Sequence, residues 1–199
     1  MPIVREISRQ TLLRRGIAFA CATLGWQVAG IAVLAVAALA ARSVALAGLG
    51  LDSLLEAGAS AVVLGELTGT GKAHRQLALR LVGGGFALLA GYLAIQSTLV
   101  LVDGFHARHS PLGIGWTAAT AAVLSALAAG QARTGAALDN QVLRTEARVA
   151  LVYGALAVAV LLGLLLGSVL GWWWADPLVG YLLAAYAARE ALGIFRAKR

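Results

Sequence analysis

The sequence predicts an all-α integral membrane protein, a bundle of six transmembrane helices with both termini in the cytoplasm. Three observations point there. The first is composition: of 199 residues, 60% are hydrophobic and only 13% are charged, with a mean hydropathy of +0.84. A water-soluble domain of this size must turn much of its area to solvent and cannot hide that much apolar side chain, whereas lipid accepts it. The second is a series of six apolar runs, each near the length of about 20 residues that a span needs. The third is the placement of the cations between those runs.

The expected spans are Gly16 to Ala41, Ala45 to Leu67, Leu79 to Val102, Leu112 to Gly130, Ala147 to Leu170 and Asp176 to Phe195. The connections are short: Arg42 to Val44, Thr68 to Ala78, Asp103 to Pro111, Gln131 to Glu146 and Gly171 to Ala175. The chain therefore reads as a single transmembrane domain over residues 1–199, with nothing left for a soluble C-terminal domain. The first run follows Arg14 and Arg15, like a twin-arginine export signal, but it is too long for a signal segment and five more runs follow. It reads as a retained helix.

With the N-terminus inside, fourteen of the sixteen Lys and Arg residues fall on the inner side and only Arg42 and Arg108 on the outer. This is the bias expected of cytoplasmic loops. It accounts for the net charge of +7 without a nucleic-acid partner. Trp116 and the run Trp172-Trp173-Trp174 sit at the outer ends, as an interfacial aromatic belt would. The expected location is the cell membrane, crossed several times.

The single cysteine, Cys21, lies in the first run and reads as structural; it can form no internal disulfide. Gly163, Gly167 and Gly171 form a small-residue stripe on the fifth helix, and Gly83-Gly84-Gly85 opens the third. In lipid such residues let helices approach closely, and packing within the bundle is the simpler reading than a dimer face.

Chemistry concentrates in the second span. Asp52 and Glu56 are four residues apart, which places both carboxylates on one helix face. A carboxylate inside the membrane costs about 2.5–3.5 kcal/mol on insertion scales, and an adjacent pair repels as well. Such a pair needs a cation, a proton or an arginine. Divalent cations accept carboxylate oxygens, and with no ion bound one carboxyl should hold a proton. Ion and proton binding are then linked at one place. The alternative is a pair tied to Ser, Thr or backbone groups, with no transport.

The remaining acids are weaker candidates. Glu66, Asp103, Asp176 and Glu190 lie near expected membrane ends, and Asp176, followed by Pro177, reads as the N-cap of the sixth helix. Glu146 reads either as a surface partner of Arg144 and Arg148 or as part of an ion path. Asp103, His106 and His109 form either a solvated loop or a weak metal-capturing cluster, and His74 reads as incidental. The stretch GELTGTGKA over residues 65–73 has Glu66 and Ala73 where a phosphate-binding loop needs Gly and Ser or Thr, and is rejected. No span carries a nucleophile–base pair or a cofactor motif, so an enzyme is not expected.

The stretch SVALAGLGLDSLLE, residues 43–56, resembles the second helix of cation diffusion facilitators, and GWWWADPLVG, residues 171–180, resembles the start of that family's sixth helix. The GLDSLLE form and the three tryptophans look most like a divergent bacterial branch similar to the transmembrane protein 163 group. The resemblance implies a six-helix bundle of cation-efflux type, commonly a homodimer. Such a protein exports Zn(II) or a related divalent cation in exchange for protons and keeps no permanent cofactor. It implies Asp52 and Glu56 as metal ligands. Two further ligands, His and Asp four residues apart, come from the family's fifth helix; in this chain the aligned positions hold Val149 and Tyr153, the latter offering an oxygen. Glu146 matches an acid just before that motif, about 10 Å along the axis from Tyr153. A non-transporting scaffold or partner subunit on the same fold is the alternative function, and an organic-cation transporter remains compatible with the pair.

Overall fold

A computed structural model describes the backbone of residues 2–67 and 72–196; side chains are described within these except at 2–13, 17, 20, 59–67, 72–76, 78, 79 and 142. The described chain is helical and contains no strand. The elements are α1 (Pro2–Ala41), α2 (Val44–Leu67), α3 (Lys72–Asp103), α4 (Pro111–Ala137), α5 (Gln141–Leu170) and α6 (Ala175–Arg196). Among the described residues, five helices are long and apolar enough to cross a membrane: Arg14–Ala41, Arg80–Asp103, Pro111–Ala137, Leu143–Leu170 and Ala175–Arg196.

Local chemistry sets the ends. Ser110 caps α4, its Oγ accepting the Gly113 N–H at 3.1 Å, with Pro111 at the first helical position. Asn140 does the same for α5, accepting from Leu143 N at 3.2 Å. Gly104 (φ 63°) and Gly171 (φ 69°) end α3 and α5 in the left-handed conformation, where a residue without Cβ is at no steric disadvantage. Arg42 (φ 51°) and Asp139 (φ 49°) adopt that conformation with a side chain. The bonds Ser43 N to Ala38 O and Asn140 N to Gly135 O close those two helix ends.

Several helices outrun their apolar stretches. The expected loop from Gln131 to Glu146 shrinks to residues 138–140, because α4 continues to Ala137 and α5 begins at Gln141. The polar residues that end the apolar run are not chain breakers. Gln131 and Thr134 are buried, and Gln131 Nε2 donates to Thr23 Oγ1 of α1 at 3.1 Å. Part of the 65–73 segment, residues 68–71, lies outside the described residues, as do the side chains of Glu66 and His74.

Helices α1, α2, α4 and α5 pack around one another, with α4 against α5 and α1 against both α2 and α4. Helices α3 and α6 pair closely and meet the rest through α2 and α5. The core runs along α2, where Leu46 and Leu49 are almost fully enclosed, and reaches Leu93 of α3, Val160 of α5 and Leu183 of α6. Glycines set the spacing. A Cβ on Gly163 would meet Val179 of α6 at 2.8 Å, and one on Gly83 would meet Ile194 at 3.1 Å. These small residues therefore serve contacts within the chain. Trp116 is half-buried against α1. It stacks on Trp26 of α1 at 4.7 Å between ring centres, and Trp26 Nε1 donates to Thr120 Oγ1 at 3.1 Å.

Candidate functional site

The site is built on α2. Gly48 lets that helix press against its neighbours: a Cβ there would lie 2.9 Å from Leu183 of α6 and 3.1 Å from Leu93 of α3. Asp52 follows one turn later on the same face and is drawn into the same depth, with 2% of its surface exposed. Among the described residues, neither of its carboxylate oxygens has a hydrogen-bond partner. Buried polar atoms in proteins are nearly always bonded, so a carboxylate this deeply buried is a candidate to take up a cation or a proton. Ser53 does not help, because its Oγ donates to Leu49 O of its own helix at 2.9 Å.

Tyr153 of α5 is equally enclosed, at 2% exposed. Its hydroxyl donates to the backbone oxygen of Asp52 at 3.1 Å. Glu56, half-buried one turn beyond Asp52, meets a different partner: the Tyr186 hydroxyl of α6 stands 3.3 Å from Glu56 Oε1. Glu190, one turn after Tyr186 and also half-buried, is near enough for its charge to act on both Glu56 and Asp52. Among the described residues no lysine, arginine or histidine forms an ion pair with these three carboxylates; the ion pair that is present joins Arg144 to Asp139 at 3.0 Å.

The structure thus brings together Asp52, Glu56 and Tyr153 from among the expected site residues. Glu146 is exposed near the start of α5, and Arg144, one of its two expected partners, bonds Asp139 instead. Val149 is exposed and offers no polar atom. Tyr186 and Glu190, not among the expected site residues, lie beside them. The signal was there in their spacing, since Tyr186 and Glu190 repeat on α6 the four-residue interval of Asp52 and Glu56.

Asp176 departs from its expected role. It lies in the first turn of α6, but its buried carboxylate caps a different helix. Ser43 Oγ donates to Oδ1, and Val44 N donates to Oδ2 at 2.9 Å. Ser43 Oγ in turn accepts from Leu46 N at 3.1 Å. The starts of α2 and α6 are therefore pinned together.

His106 and His109 are exposed. They line a cavity of about 220 Å³ with Arg108, Ser168, Trp172 and Trp173. His106 Nδ1 lies 2.9 Å from Gly104 O and its ring 5.4 Å from that of Trp173. Among the described residues, no three His, Cys, Asp or Glu side chains converge on one point. Comparison with protein-family models and with curated proteins gives no match for this chain.

Proposed function

We propose that this chain is a six-span membrane transporter of cation-efflux type that moves a divalent cation out of the cell in exchange for protons. Both termini would lie in the cytoplasm of a cell-membrane homodimer, and Zn(II) is the ion that the family resemblance implies. The observation that carries the reading is the buried carboxylate of Asp52, without a hydrogen-bond partner among the described residues and one turn from Glu56. An ionised carboxylate held there alone is costly. A divalent cation between Asp52 and Glu56 removes the cost in one half of a cycle, and protons remove it in the other. That alternation at a single place is what couples the two fluxes.

The test is transport by the purified chain in proteoliposomes, across Zn(II), Mn(II), Co(II), Ni(II) and Fe(II), with pH followed on both sides. Metal flux with counter-flow of protons is expected in the wild type and its loss in Asp52→Asn and Glu56→Gln. Undiminished exchange in both variants would remove the pair from the mechanism.

A second reading, a non-transporting scaffold or partner subunit on the same fold, is favoured by what α5 offers. Val149 is apolar and exposed, and the Tyr153 hydroxyl is engaged with backbone. Absence of metal binding together with a stable hetero-complex would select it.

A further inference from the structure

We propose that α6 supplies the second half of the ion site, with Tyr186 and Glu190 continuing the file of oxygen donors begun by Asp52 and Glu56, and that this file suits a hard divalent cation such as Mn(II). The inference rests on the transport reading and says where the ion passes and of what kind it is.

The register comes from the pinned ends. Helices α2 and α6 leave together from the Asp176 contacts with Ser43 and Val44. Measured from that end at the helical rise, Asp52 stands about 12 Å along α2 and Glu56 about 18 Å, while Tyr186 stands about 15 Å along α6 and Glu190 about 21 Å. The four levels interleave. The 3.3 Å approach of Tyr186 Oη to Glu56 Oε1 is the contact that this register requires. Glu190 follows on the same face of α6, half-buried and within electrostatic reach of both α2 carboxylates.

Three acidic side chains alone would make no site. Here the first of them is almost completely enclosed, with both oxygens unsatisfied among the described residues. No cation side chain answers any of the three among the described residues. They do not converge on a point, so a cation is held by neighbours two at a time. It sits first between Asp52 and Glu56 and then between Glu56 and Glu190. Glu56 is shared, and the Tyr186 hydroxyl fixes its orientation between the two seats.

The donors are carboxylate and phenol oxygens throughout. The described imidazoles, His106 and His109, lie in the connection before α4, and Cys21 is exposed on α1. Oxygen-only sets suit Mg(II), Ca(II) and Mn(II), whereas imidazole and thiolate give Zn(II) its usual advantage.

The experiment is a titration of the full chain in detergent with Mn(II), following free Mn(II) by electron paramagnetic resonance, with Zn(II) as competitor. The wild type should bind Mn(II). Glu190→Gln should weaken binding tenfold or more, Tyr186→Phe several-fold, and Glu190→Asp should restore most of the affinity. Zn(II) should compete with an advantage of no more than about tenfold, the general affinity order without a nitrogen or sulfur ligand. Size exclusion checks that each variant is folded. Tyr186→Phe removes one hydroxyl and carries the test if Glu190→Gln does not fold. Loss of binding in Asp52→Asn with wild-type titrations in Glu190→Gln and Tyr186→Phe would overturn the α6 half while leaving the transport reading standing. A Zn(II) advantage of several orders would overturn the ion class. A wild type that binds neither metal would overturn the transport reading and this inference with it.

Discussion

The Tyr153 hydroxyl donates to the backbone oxygen of Asp52, at 3.1 Å, and both carboxylate oxygens of that residue stay without a hydrogen-bond partner among the described residues. The phenol therefore anchors α5 to α2 without using up the acid. The consequence is that the two residues separate by mutation. Tyr153→Phe should cost about 1 kcal/mol, the net worth of one hydrogen bond, read as a lower thermal midpoint in detergent, with metal binding retained. Asp52→Asn should abolish binding without a comparable loss of stability. Loss of binding in Tyr153→Phe as well would make the phenol a ligand.

Asp176 fixes the common origin of α2 and α6 through Ser43 and Val44. Asp176→Ala removes a buried acceptor from two donors and should destabilise by about 1–3 kcal/mol. Ser43→Ala, which loses the donor to Asp176 and the acceptor for Leu46 N, should cost a similar amount. In a double-mutant cycle the two losses should be less than additive, because they share one contact. Full additivity would show that the pin is absent in solution.

Gly48 admits α2 between Leu93 and Leu183. Gly48→Val adds volume where none is free and should cost about 1–3 kcal/mol or more, while displacing Asp52 from its seat and weakening metal binding. Gly91→Ala is the control. A Cβ there meets nothing within 4 Å, so the better helix propensity of alanine should leave stability equal or higher. Equal midpoints in the two variants would contradict the close approach.

The proposed orientation puts Arg108 outside and Arg133 and Arg144 inside. In a Cys21→Ser background, a cysteine at Ala107 should react with a membrane-impermeant maleimide added to whole cells, and one at Ala137 only after permeabilisation. The opposite pattern would reverse the topology.

The helical character was legible because run length and composition alone decide it. So was the Asp52–Glu56 pair, since a four-residue interval on one helix fixes a shared face. The partners of that pair were not legible. Tyr186 lies 130 residues from Glu56, and α2 is apolar nearly all round apart from the pair, so no stripe declares which helix its face meets. Asp176 misled for a related reason. An acid before proline at a helix start looks like a cap for its own helix, but the α2 start, with Ser43 Oγ and Val44 N unsatisfied, lay within reach and won the carboxylate. Gln131 ended an apolar run by composition, yet the helix continued because its amide found Thr23.

If one place binds cation and proton by turns, metal binding must set protons free. Calorimetric titration of the purified chain with Mn(II), repeated in buffers of different ionisation enthalpy, counts the protons set free per ion. The wild type should release at least one proton per cation bound, and Asp52→Asn, if any binding survives, fewer. Metal binding with no proton release, or with the same release in Asp52→Asn, would show that cation and proton do not share the Asp52 carboxylate.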